Sequence, residues 1–363
     1  MRLRSHGPQQ ALTVHLIEAG GSGGVFQHVL ELVNLLARHE ISVVLHTAED
    51  AEARPARGVE MCGCVHWRRG VKNNAVRRAL IGAGYVVGTL PHLRRAIRPG
   101  DVAHIQGTFK PLLTMLTAMS LHGRRLVFSP HNTFSRSKRS LDMRAIRMTT
   151  SRALSTVVYA STDIDVVRDW GGTPTLSRLL QYAPSVDPKL TAEWRRLWGA
   201  DPGVRVILFA GQIRPDKRLD LLVHAATAWP PTWVLAVVGE DKGHYDICHV
   251  IADDLGVSVR WSVRYVPLDE FIAAIAAADV VVCPYDRASQ SGVLSLAQRL
   301  STPTVASHRG GLADLATLTF DHQRPDDLNR ALKRALDAPA ELMPVGDDDA
   351  LKVHLKTYGL SHP

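Results

Sequence analysis

The apolar positions of this chain fall into two alternating rhythms. Short, nearly continuous runs rich in β-branched residues predict buried strands, and runs with apolar residues at three- and four-residue spacing predict amphipathic helices. Leu12 to Ile17 reads as the first strand. After a glycine turn, a helix near Val25–His39 sets Val29, Leu32, Leu35 and Leu36 on one face. Ile41 to His46 is the next strand, and Asp101–Ile105, Arg125–Ser129 and Thr156–Ala160 extend the series. Strands that alternate with helices imply a parallel sheet covered on both faces.

The alternation halts at the proline-marked segment Gln181-Tyr-Ala-Pro-Ser-Val-Asp-Pro188, which leads into a short charged helix and the turn Gly199-Ala-Asp-Pro-Gly203. It restarts with Val204–Phe209 and continues through Trp233–Gly239, Ser258–Trp261, Val280–Tyr285 and Thr304–Ser307. The expectation is an α/β protein of two doubly wound, Rossmann-like halves. Residues 1–187 form the first and 188–340 the second, with 341–363 a terminal segment packing back on the first. Two such halves would face each other across a cleft, with ligands at the carboxyl ends of the strands.

Composition narrows the class. With 363 residues and 45% hydrophobic content, the chain suits two globular domains. No apolar run approaches the roughly 18 residues of a membrane span, and the N-terminus lacks a signal-peptide core, so a cytoplasmic protein is expected. Cys62 and Cys64 are one residue apart, while Cys248 and Cys283 are solitary. That spacing suits neither a disulfide framework nor a zinc motif, and reads as small, mostly buried thiols. The net charge of +8 is uneven, with 24 Lys+Arg against 13 Asp+Glu in residues 1–187. Clusters at Arg68–Lys72, Arg77-Arg78 and Arg136–Arg152 suit a phosphorylated acceptor, peripheral contact with anionic lipid, or a solvated surface. No nucleic-acid reader module is present.

Two segments suggest phosphate chemistry. Phe209-Ala-Gly-Gln-Ile-Arg-Pro-Asp-Lys217 closes a strand with Gly211 and then presents Arg214 and Lys217 before a helix. A glycine lets the backbone approach a diphosphate while the cations offset its charge. Ser289-Gln-Ser-Gly-Val293 is a second glycine turn, where the amides of Ser291, Gly292 and Val293 would cradle the same phosphates at a helix N-terminus. In the first half, Gly21, Gly23 and Gly24 form a loop between strand and helix, followed by His28, which reads as a packing residue. His131, beside Asn132 and Thr133 at a strand's carboxyl end, suits hydrogen bonding to a sugar hydroxyl. Asp163-Ile-Asp165 follows Ser161-Thr162 and reads as a helix start, not a metal site.

Together these segments resemble the retaining GT-B glycosyltransferases of family four, over nearly the whole chain. Gly23-Gly-Val-x-x-His28 is similar to the family's acceptor-side loop, His131 to its active-site histidine, and Gly211–Lys217 to its donor-phosphate motif. Leu235–Glu240, Ala276–Tyr285 and Pro303–Gly311 also match. There are departures. Gln212 stands where the family usually has arginine, and Ala288 and Leu296 stand where it has paired glutamates, Leu296 at the ribose-binding one. Asp286 is the nearest carboxylate able to substitute.

The resemblance implies a metal-independent transfer of sugar from a nucleoside diphosphate, UDP or GDP, to a glycan, glycolipid or small-molecule hydroxyl. It assigns His131, Arg214 and Lys217 to catalysis, and Gly211, Arg214, Lys217, Ser291, Gly292 and Val293 to the donor phosphates. Gly239, Arg264, Tyr265 and Val266 would read the nucleoside; Gly21, Gly23, Gly24 and Asn132 would face the acceptor. Neither a cofactor nor a metal is expected. The alternatives are a degenerate GT-B protein that binds without turnover, supported by the lost glutamates, and a sugar-nucleotide epimerase, which would need carboxylates in the cleft.

Overall fold

A computed structural model describes residues 12–65, 75–107, 110–133, 140–180, 185–322, 324–337 and 347–360. The chain divides into two compact units. The first begins β1 (Val14–Glu18), α1 (Gly23–Arg38), β2 (Val43–Ala48) and β3 (Glu60–Val65). Helix α2 (Ala75–Gly84) runs through a wide π-type turn at Tyr85–Thr89 into α3 (Leu90–Ala96). Then follow β4 (Val102–Gln106), α4 (Pro111–Ser120), β5 (Arg125–Ser129), α5 (Ser140–Arg152), β6 (Ser155–Val158), α6 (Asp163–Asp169) and β7 (Pro174–Leu176). The strands make one sheet in the order β3-β2-β1-β4-β5-β6-β7. All its pairs are parallel.

The second unit contains α7 (Pro188–Leu197), β8 (Arg205–Ala210), a 3-10 turn at Pro215–Lys217, α8 (Leu219–Ala226), β9 (Trp233–Gly239) and α9 (Tyr245–Asp254). It continues through β10 (Val259–Val263), α10 (Leu268–Ala277), β11 (Val280–Cys283), α11 (Gly292–Arg299), β12 (Thr304–Ser307), β13 (Leu318–Phe320) and α12 (Pro325–Asp337). Its sheet is also parallel, in the order β10-β9-β8-β11-β12-β13. The last helix, α13 (Asp348–Tyr358), belongs to the first unit and packs against β5 and β7. Residues 160–162 group with the second unit.

Burial explains why the central strands read clearly. Val206, Ile207, Leu208 and Phe209 of β8 are all fully buried, because helices cover both faces of the sheet. Burying each such side chain contributes about 1.5–3 kcal/mol. The pattern along the chain did not predict β3, β7 or β13, and all three are edge strands. β3 reads Glu-Met-Cys-Gly-Cys-Val and is mostly half-buried, so it carries no apolar run to detect. β7 and β13 span three residues each. Boundaries also moved: β1 extends to Glu18, and β11 stops at Cys283, before Pro284, which has no N–H for the ladder.

Of the expected break at 181–188, residues 181–184 lie outside the described residues, as do the clusters Arg68–Lys72 and Arg136–Arg139. Arg144, Arg147 and Arg152 are exposed on α5. Among the described residues no helix is long and apolar enough to cross a membrane. Cys248 and Cys283 are buried, whereas Cys62 and Cys64 are half-buried.

Two loops at the carboxyl end of the second sheet touch backbone to backbone. Gly239 has φ +155, and a Cβ there would lie 1.8 Å from the Gly211 carbonyl oxygen. Gly243 has φ +90 but open space around it. Gly243→Ala is therefore expected to cost about 1–3 kcal/mol of backbone strain, and Gly239→Ala distinctly more, because Gly211 must also move. Denaturant midpoints of the two variants compare these terms directly; equal losses would show that the close approach is not limiting.

Candidate active site

In the second sheet the strand order reverses between β8 and β11, and loops part there. Gly211 follows β8 with φ +114, and its N–H donates to the Val238 carbonyl at 2.9 Å. Its Cα side faces Val293, whose Cγ2 would lie 3.7 Å from an added Cβ. Val293 is in the first turn of α11, so the two glycine segments predicted to hold phosphate meet in space. Ser291 caps that helix, its Oγ accepting from the Leu294 N–H at 3.3 Å. The amides of Gly292 and Val293 belong to the helix turn whose N–H groups have no intrahelical acceptor, the part of a helix suited to an anion.

The cations of this loop are not bare. Arg214 Nη2 donates to Asp216 Oδ2 at 3.0 Å, and Arg214 Nη1 to Gln212 Oε1 at 3.3 Å. Lys217 Nζ sits 3.4 Å from the centre of the Tyr285 ring. Arg218, in the left-handed region with φ 50, forks onto Asp220. The Asp286 N–H donates to the Asp216 carbonyl at 3.0 Å, tying the exit of β11 to the same turn. Arg214, Lys217 and Arg218 thus share their surroundings with Asp216, Asp220 and Asp286, which lowers the net field of the cradle.

The residues expected to read a nucleoside are close to this cradle through their backbone. The Arg264 N–H donates to the Gly239 carbonyl at 3.1 Å. Its guanidinium, however, pairs with Glu270 and lies 5.9 Å from the Trp194 ring centre. Tyr265 is exposed and Val266 buried. Leu296 is 1% exposed and part of the apolar core, and Ala288 is also buried, so neither position leaves room for a free carboxylate. Asp286 is half-buried, with Oδ1 3.7 Å from His322 Nε2.

In the first unit, the glycine loop is held by carboxylates. Buried Glu18, at the end of β1, accepts from the Gly20 N–H at 2.8 Å, the Gly21 N–H at 2.7 Å and Thr47 Oγ1 at 3.0 Å. Glu52 accepts from the Gly23 N–H at 3.0 Å. The loop is therefore built around two anions of its own, and Gly23 and Gly24, where an added Cβ would meet open space, face outward.

His131 follows β5 in the left-handed region, with φ 58, an uncommon backbone for a residue that is not glycine. Its Nε2 lies 2.7 Å from Gln106 Oε1, an acceptor, so Nε2 carries the proton. Gln106 is in register with Glu18, which links His131 to the anchor of the glycine loop. Behind it runs a buried polar network. His104 Nε2 lies 2.8 Å from Ser129 Oγ, and His104 Nδ1 lies 2.7 Å from the Tyr358 hydroxyl of α13. The Leu180 N–H donates to His28 Nδ1 at 3.0 Å, so His28 Nε2–H donates to the Tyr159 hydroxyl at 2.8 Å. Asn132 is half-buried, and Thr133 Oγ1 donates to Asp163 Oδ1 at 2.7 Å, where Asp163 opens α6.

Family models match both halves of the chain: the one described as Glycosyltransferase Family 4 over residues 22–175, and Glycosyl transferases group 1 over residues 204–338. The chain belongs to the family-four glycosyltransferases. Over 92% of its length it is similar, at 27% identity, to 87% of a D-inositol 3-phosphate glycosyltransferase of Pseudarthrobacter chlorophenolicus. Mycobacterium relatives of the same name reach 34% identity over 38% of this chain, but the matched stretch spans about a third of their own length, 33%. The GT-B fold is shared with sucrose-phosphate synthase of Thermosynechococcus elongatus at TM-score 0.69 and 16% identity, covering 96% of this chain and 95% of that one. HepE of Anabaena in complex with UDP-glucose superposes at TM-score 0.65 and 14% identity, with the same coverages of 96% and 95%.

The sequence singled out Gly211, Val293 and His131 but not the groups that orient them. Glu18, Glu52, His104, Gln106, Tyr159 and Tyr358 were not singled out along the chain. A buried polar residue on an all-buried strand, as in Val102-Ala-His-Ile-Gln106, is the signal that would have found two of them.

Burial pushes His131 down to about 3 and His354 to about 4, and drives His28 and His104 well below the usual histidine range. These imidazoles stay neutral when folded and gain protons below about pH 6.5 when unfolded, so the unfolded state binds more protons. Stability is expected to fall as pH drops from about 6.5 towards 4. His354 Nε2 is buried without a hydrogen-bond partner among the described residues, and its Nδ1 lies 3.3 Å from the Tyr358 hydroxyl, so His354→Leu removes a titrating group while that hydroxyl keeps His104 at 2.7 Å. The variant's urea midpoint should fall less steeply over that window, with up to one proton less taken up on unfolding. An unchanged slope would place the acid sensitivity elsewhere.

Proposed function

We propose that the chain transfers a sugar from a nucleoside-diphosphate sugar, UDP- or GDP-linked, to an acceptor hydroxyl with retention of anomeric configuration. The observation that carries this reading is the meeting of Gly211 with Val293 at the switch point, beside Arg214 and Lys217. As the bond from the anomeric carbon to the diphosphate breaks, negative charge grows on the leaving oxygen. Arg214, Lys217 and the amides of Gly292 and Val293 would stabilise it, and the proposal assigns that charge to these groups and not to a metal ion. Gly239, Arg264, Tyr265 and Val266 would border the nucleoside. HepE, whose structure holds UDP-glucose, supports a nucleotide sugar as donor.

In the first unit, neutral His131 would hydrogen-bond the sugar side, and Gly21, Gly23, Gly24 and Asn132 would border the acceptor. The excess of positive charge in residues 1–187 favours an anionic acceptor, or work from the cytoplasm at a membrane surface. The relatives' name makes D-inositol 3-phosphate the first acceptor to try. One observation favours a second reading, a protein that binds nucleotide without turnover: Leu296 fills the core where a ribose-binding carboxylate is expected, and Arg214 is already paired with Asp216.

Thermal unfolding of the full chain with UDP, GDP, ADP and their sugars tests the donor. A ligand at a hundredfold excess over its Kd raises stability by about 2.7 kcal/mol. Lys217→Ala is expected to lose that shift and to lower transfer by about 10²–10³-fold, the effect of removing one such donor. Product anomers read by NMR should match the donor's configuration. Stabilisation by a nucleotide without transfer or hydrolysis of its sugar would select the binding protein, and no stabilisation by any of them would overturn both readings.

A further inference from the structure

We propose that the first unit holds a structural zinc ion on His46, Cys62, Cys64 and His92, at the edge of its sheet. Their ligand atoms all lie within 4.8 Å of one another. Cys62 Sγ is 3.3 Å from His92 Nε2, and Cys64 Sγ is 3.5 Å from His46 Nδ1. A tetrahedral zinc with ordinary Zn–S and Zn–N bonds has edges of about 3.3–3.8 Å between its ligands, so two edges already have the required length. Two sulfurs and two imidazole nitrogens, with no oxygen, suit zinc and not calcium or magnesium.

The strands are shaped to make this cluster. His46 and Cys62 are register partners on β2 and β3. Beyond them the register slips, from His46–Cys62 to Ala48–Val65, so β3 carries one extra residue in a bulge that spans Cys64. Gly63, between the cysteines, comes so close to β2's exit that a Cβ would lie 3.0 Å from Glu49 Cα. His92 arrives from α3, its ring centre 6.0 Å from that of His46. Spacing along the sequence conceals the set, because the ligands come from two strands and a helix.

The second nitrogen of His46 is also provided for. His46 Nε2 lies 3.0 Å from His15 Nδ1, and His15 Nε2 lies 3.5 Å from Asp101 Oδ2. With the His15 proton on the side of Asp101, His15 Nδ1 accepts from His46 Nε2–H, which leaves the His46 Nδ1 lone pair directed at the cluster. A zinc-ligating histidine commonly donates its other N–H to an outer acceptor that fixes its tautomer; here that acceptor is His15, itself backed by Asp101. A cavity of about 500 Å³ opens onto His46, Cys62 and His92 and supplies a way in. Bound zinc would clamp edge strand β3 and helix α3 to β2.

The test uses the full chain, reduced, stripped with chelator and titrated with Co²⁺ and then Zn²⁺. One equivalent of Co²⁺ should give the intense visible absorption of a tetrahedral sulfur–nitrogen site, displaced by Zn²⁺, and one equivalent of Zn²⁺ should raise the unfolding temperature. Cys62→Ser and Cys64→Ser should each weaken binding and diminish the sulfur-to-cobalt band, and the double variant should abolish it. Should those variants fail to fold, half-buried His92→Gln serves instead, with affinity at least about tenfold weaker. His15→Gln should weaken binding by about 10–100-fold while keeping the tetrahedral spectrum. A Co²⁺ spectrum that stays like that of the hydrated ion, or a tetrahedral signal of undiminished intensity and affinity in Cys62→Ser, Cys64→Ser or His92→Gln, would overturn the proposal.

Discussion

Because both sheets are parallel and covered on both faces, their backbone hydrogen bonds are spent within the sheet, and unsatisfied polar groups gather at strand ends. At the carboxyl end of the second sheet, the constraint is a contact with no room for a side chain, Gly239 against the Gly211 carbonyl. That contact fixes the path of the loop carrying Arg214 and Lys217, and so sets where Gly211 meets the first turn of α11. A shift of the contact would separate the glycine segments and leave cations without amides beside them.

The two units handle charge in opposite ways. The second gathers cations at its strand ends and partly neutralises them with Asp216, Asp220 and Asp286, so any anion it binds must compete with carboxylates already present. The first binds its own anions: Glu18 and Glu52 occupy the glycine loop's amides. A loop built around internal carboxylates is stiff, and it favours a neutral or hydroxyl-bearing group over a second phosphate at those amides. Any attraction for an anionic acceptor then rests with the arginines of the first half, not with the loop.

Polar burial in the first unit is heavy for a parallel sheet. His28, His104, His131 and His354 lie around Tyr159 and Tyr358, linked by Ser129 and Gln106. Each buried polar atom costs free energy unless it is bonded, so such a network specifies one arrangement of side chains. It also joins the C-terminal helix to the middle of the sheet, because Tyr358 of α13 reaches His104 of β4. The left-handed backbone of His131 is held at the rim of this network, where Gln106 fixes its ring.

The sequence by itself determined the α/β class, the restart of the alternation at Val204, the interior strands and the order of the glycine segments, since local periodicity and glycine placement are written in consecutive residues. The family-four resemblance came from the same consecutive residues. Tertiary structure decided the rest. Edge strands β3, β7 and β13 carry too little apolar sequence to announce themselves, and they form because a neighbouring strand offers a ladder. Pairing of Arg214 with Asp216 and the burial of Leu296 follow from how loops and helices pack. Cys62 and Cys64 looked like two small thiols, and only the parallel pairing of β2 with β3 and the placement of α3 set them beside His46 and His92. Parallel strands bring together residues separated by a whole crossover, so contacts of that kind leave no spacing for a sequence to show.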